Sequence, residues 1–81
     1  MTTRQIKKQL AEATTIAEVK HIWGQYAEEY WQAGSTLPRS PYLSICEAHW
    51  DALYKLGYEF DAVERACIAS HASHYTAPWN R

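Results

Sequence analysis

Two cysteine–histidine pairs have the residue types and spacing best suited to chemistry. They are Cys46-x-x-His49 and Cys67-x-x-x-His71. Separations of three and four place each pair on one face of a helix. Two adjacent helices could gather Cys46, His49, Cys67 and His71 into a Cys2His2 zinc set, with His74 as a substitute ligand. Structural zinc sites usually draw some ligands from turns, which reach a tetrahedron more readily than helices do. The reading without metal is two reduced thiols, one core histidine, and histidines near a helix C-terminus, where the dipole favours positive charge. No cofactor is assigned, and a zinc-stabilised domain stands as an alternative.

Cys46 and His49 also have the spacing of a nucleophile and its base. Both fall in the apolar arc of their helix, where burial raises a thiol pKa and quenches its reactivity. The chain has no nucleophile elbow, glycine-rich phosphate loop or HExxH pattern. Its one adjacent carboxylate pair, Glu28-Glu29, falls on a polar helix face. The expectation is a protein without catalysis.

Aromatic residues are the larger signal. They make up 14% of the chain, with four Trp and six Tyr against one Phe. Trp23, Tyr26, Tyr30, Trp31, Tyr42, Trp50 and Tyr54 exceed what a small helical core readily encloses. They could form a core with the hydroxyls at its rim, line a small-molecule pocket between the second and third helices, or leave an exposed patch for a partner. Ile68 and Tyr75 point away from the small face of the last helix, and Trp79 sits in the tail. Trp31, Tyr54, Ile68, Tyr75 and Trp79 are therefore the candidate partner-binding residues.

The elements that must position these groups are helices, approximately 2–13, 16–33, 41–56 and 62–75. Thr2 and Gln5, Thr15 and Glu18, and Asp61 and Glu64 each have capping-box spacing. Ile16, Val19, Trp23, Tyr26 and Tyr30 form one face of the second helix, with Gly24 a place where a neighbour could approach closely. The third helix is central. Ser40 reads as its N-cap, Pro41 as its first residue and Gly57 as its left-handed stop. Its polar strip is only Ser44, Glu47, Asp51 and Lys55, so neighbours should cover it on several sides. In the last helix, Ala62, Ala66, Ala69, Ser70 and Ser73, with Val63 and Cys67 beside them, make a small face suited to close helix packing. The tail is irregular from about residue 76. The fold expected is all-α, a compact bundle of four helices with short antiparallel connections in a single domain, 1–81.

Leu56-Gly57-Tyr58, followed by Val63 and Ala66, resembles the loop and second helix of a ubiquitin-associated domain. That family binds the apolar patch of ubiquitin with this loop and a third helix. The resemblance covers about 20 residues; two extra helices precede it, and Pro78 opposes a third helix after it. It implies a shared turn rather than a shared family.

A net charge of −1 gives no footprint for nucleic acid, and the last helix as a recognition helix would offer only Arg65 as a cation. No apolar run is long enough to span a membrane, and the polar N-terminus is not a signal peptide, so a cytoplasmic location is expected. Together these features suit a small non-catalytic adaptor or inhibitor, of the size that phages and mobile elements encode. It would act through an aromatic and apolar helix surface on another protein or on a second copy of itself.

Overall fold

The structure is a computed structural model. It describes residues 2–32, 39–72 and 74–80, with side chains for 2–30, 42–72 and 74–80. The fold is all-α: the described residues form four α-helices and a single 3-10 turn, with no strand. No helix among them is long and apolar enough to cross a membrane.

The first helix, α1, spans Thr3–Glu12. Its capping box is complete: Gln5 N–H donates to Thr2 Oγ1 at 3.2 Å, and Thr2 N–H donates to Gln5 Oε1 at 3.0 Å. Ile6 and Leu10, one turn apart, are both 1% exposed, and this short helix gains its stability from burying them. The second helix, α2, spans Ile16–Gln32, and Glu18 N–H donates to Thr15 Oγ1 at 3.1 Å at its start. Val19, Ile22, Tyr26 and Tyr30 form its buried stripe, while Ile16 and Trp23 are half-buried beside it. Gly24 faces open space, with nothing within 4 Å of where a Cβ would sit, so the expected close helix approach does not occur there.

The third helix, α3, spans Arg39–Lys55 and packs on both α1 and α2. It begins earlier than expected: Ser40 is its second residue, not its cap, and Pro41 its third. Proline is tolerated there because N–H groups of the first turn have no helical partner. Ile45, Cys46, Ala52 and Leu53 carry its buried face, and Lys7 Nζ donates to Ser44 Oγ at 3.0 Å across to α1. The helix ends as a Schellman motif. Gly57 takes φ 91°, Gly57 N–H donates to Tyr54 O and Tyr58 N–H to Leu53 O, both at 3.0 Å.

The fourth helix, α4, spans Ala62–His71. Its Asp61–Glu64 box is complete, at 2.7 and 3.1 Å, and the second oxygen of Glu64 accepts from the Tyr58 hydroxyl at 2.6 Å. Three expectations about this helix are overturned. It stops one turn early, at Ala72, which adopts φ −133° and ψ 70°. The unwinding lets Tyr75 reach back, its hydroxyl donating to Asp51 at 2.5 Å and its ring 5.4 Å from Trp50. The small face is not packed: Ala62, Val63, Ala66, Cys67, Ala69 and Ser70 are exposed, and Ser73 lies outside the described residues. Ile68, expected to point outward, is the one helix residue buried, at 6% exposure. The helix turns to place Ile68 on the core, where its burial is worth about 1.5–3 kcal/mol.

The tail closes this side of the molecule. Ala72 and Ala77 are buried, and Pro78–Asn80 forms the 3-10 turn. Trp79 packs 4.9 Å from the Phe60 ring and 6.3 Å from the Tyr54 ring, with the Arg65 guanidinium 5.3 Å from its ring centre. Arg65 Nε also donates to Phe60 O at 3.1 Å, which fixes Phe60 at the start of α4.

Candidate functional site

The aromatic surplus gathers where α2 and α3 face each other. Tyr42, Cys46 and Trp50 are spaced by four on α3 and so share a stripe; Trp23 and Tyr30 are two turns apart on α2. With Leu43, and His71 from the end of α4, these residues line a pocket of about 290 Å³. The rings form a connected array. Tyr30 and Tyr42 stack at 4.4 Å, Trp23 lies 5.8 Å from Tyr42, and Trp23 stacks on His49 at 4.7 Å and 16°. Such contacts contribute about 0.5–1.5 kcal/mol each beyond the area they bury.

The electrostatics of this wall are those of a neutral surface. Burial pushes the Tyr42 hydroxyl up to about 12, with Cys46 adding to the effect. Burial also pushes the Cys46 thiol up to about 11, against the opposing effect of its hydrogen bond with Tyr42. Both stay protonated at neutral pH, and Cys46 is not a thiolate there. Burial, and then the Lys20 charge, hold His49 down to about 4, so its imidazole is neutral too. Its Nδ1 is buried with no hydrogen-bond partner among the described residues. No carboxylate, lysine or arginine is among the described lining residues. An ion entering the pocket would lose hydration at a cost of several kcal/mol. A cation–π contact returns only about 0.5–2 kcal/mol. The pocket therefore favours neutral groups.

A shallower groove continues from it along α4, lined by Trp50, Glu64, Cys67, Ile68 and His71. Trp50 and His71 belong to both, so pocket and groove form one continuous surface. Val63, 71% exposed, lies on the same helix.

The residues singled out from sequence fall in different places. The Trp31 side chain lies outside the described residues. Tyr54 is 43% exposed. Tyr75 and Trp79 are half-buried in the contacts that hold the tail, and Ile68 is in the core. The four zinc candidates do not form a site. Cys46 is buried in α3, His49 is stacked on Trp23, Cys67 and His71 are exposed on α4, and both thiols are free. Among the described residues, no three His, Cys, Asp or Glu side chains converge to hold a metal ion. Sequence reasoning did not single out Leu43 or the place of His71 at the pocket. The signal for the pocket itself was the spacing of four linking Tyr42, Cys46 and Trp50.

Compared with protein-family models, curated proteins and solved structures, the chain matches none of them.

Proposed function

We propose that this chain is a small non-catalytic binding module, an adaptor or inhibitor that docks on a larger protein through α4 and the groove beside it. The observation that supports this is the state of α4. One side chain, Ile68, anchors the helix, and Val63, Ala66, Cys67 and Ala69 remain exposed. Burying a valine side chain is worth about 1.5 kcal/mol or more, and at Val63 most of that gain is unrealised in the isolated chain. A partner covering α4 would recover it and would reach the aromatic rings through the adjoining groove, where Trp and Tyr make effective anchors. Two reduced cysteines suit a cytoplasmic protein.

The test is site-specific photo-crosslinking in the producing cells, with the crosslinker at residue 63 on α4 or, as control, at residue 25 on the exposed side of α2. The proposal expects a discrete adduct from residue 63 alone, lost when Ala66→Glu is added. Equal labelling from both positions, or none from residue 63, would sink it. An adduct of twice the chain mass would make a second copy the partner.

A further inference from the structure

The pocket between α2, α3 and the end of α4 has the makings of a site in its own right. We infer that it binds an uncharged aromatic small molecule. Four rings, Trp23, Tyr30, Tyr42 and Trp50, supply most of its lining, and Leu43 completes an apolar wall. Its volume of about 290 Å³ is at the lower end for ligand pockets, which suits a molecule of one or two rings. Ring faces and edges prefer an aromatic guest, because offset-stacked and edge-to-face contacts add to simple area burial. The absence of any carboxylate, lysine or arginine from the described lining selects against ions of either sign. Polar contact is limited to the Tyr30 and Tyr42 hydroxyls, the Cys46 thiol, the indole N–H groups of Trp23 and Trp50, and His71, which stands exposed on α4. The ligand class is therefore neutral, flat and weakly polar. This binding does not require α4 to dock on anything, so it stands or falls separately from the protein-binding proposal.

Indole is the probe, titrated into the full chain by calorimetry and followed by proton NMR. Tetramethylammonium and benzenesulfonate serve as charged comparators. The expected result is saturable 1:1 binding of indole, at least about tenfold tighter than either ion, with intermolecular NOEs to the Trp23 and Trp50 rings. Trp50→Leu keeps the position apolar but removes one ring and should weaken indole about tenfold. Leu43→Trp fills the pocket and should abolish saturable binding. Circular dichroism verifies that each variant is folded. If neither folds, the NOE pattern on the natural chain decides. Absence of saturable binding, ions binding as tightly as indole, NOEs confined to Tyr54 and Trp79, or unchanged affinity in both folded variants would each overturn the inference.

Discussion

Replacing His49 with phenylalanine should remove a specific acid sensitivity from the fold. The folded-state pKa of His49 is held at about 4 against an ordinary 6.5, first by burial and then by Lys20. The depressed value means that the unfolded chain binds a proton the native chain refuses. The stability at stake is fully present above about pH 6.5, falls as pH drops through the window from 6.5 to 4, and changes no further below it. At pH 5 the loss is about 2 kcal/mol, and below pH 4 it reaches about 3 kcal/mol. With a urea slope near 1 kcal/mol per molar for a chain this small, the pH 5 loss moves the unfolding midpoint by about 2 M. Phenylalanine can keep the stack on Trp23, at 4.7 Å in the natural chain, while removing the unpartnered Nδ1. Urea titrations followed at 222 nm, at pH 7.5, 6, 5 and 4.5, provide the assay. The difference between natural chain and variant cancels the other titrating groups. The natural chain should lose about 2 M more than His49→Phe between pH 7.5 and 5. Midpoints that fall in parallel would show that His49 titrates normally, and the account of a buried, neutral imidazole stacked on Trp23 would be wrong.

Other outcomes follow from single residues. Gly24→Ala should stabilise the chain by about 1 kcal/mol in urea unfolding, because a Cβ there meets nothing within 4 Å and alanine is the better helix former. Gly57→Ala also meets open space but carries φ 91°, so it should cost about 1 kcal/mol; a loss at Gly24 or a gain at Gly57 contradicts the assignment. A maleimide at pH 7.5 should label one thiol per chain, Cys67, and reach Cys46 only after urea unfolding; two fast thiols would refute the burial of Cys46. Tyr75→Phe should cost about 1–2 kcal/mol through loss of the hydroxyl bond to Asp51, read from the same urea midpoints, and an unchanged midpoint would count against that bond as a clasp of the tail.

Much of the fold was legible because its signals are local. Capping boxes at Thr2–Gln5 and Asp61–Glu64 mark their helix starts, and Gly57 marks a helix end, because each motif satisfies backbone groups within a few residues. The start of α3 was harder, since proline is compatible with any position in the first turn. What local pattern could not give was the orientation of α4. Its small residues suggested close packing, but which side faces inward depends on what the rest of the chain presents, and it is Ile68 that the core receives. The length of α4 was hidden for the same reason. Tyr75 leaves the helical path to reach Asp51 and Trp50, contacts distant in sequence. The placement of the zinc candidates was hidden at the same point, because spacing puts Cys67 and His71 on one face of α4 without saying where that face points, and among the described residues no metal-holding cluster forms. The pocket was half-legible: the aromatics were conspicuous in sequence, but its lack of charged lining among the described residues and its reach to His71 are properties of the assembled helices.

The central claim is that α4 buries only Ile68 in the core and offers its Val63, Ala66 and Cys67 face for docking. Residue-resolved native-state hydrogen exchange tests this most directly. The account predicts that amides within 62–71 exchange through a local opening of clearly lower free energy than those of Val19, Ile45 and Leu53, which need global unfolding. Protection across α4 equal to that of α3 would contradict it, because the helix would then be an integral part of the core with no face to spare.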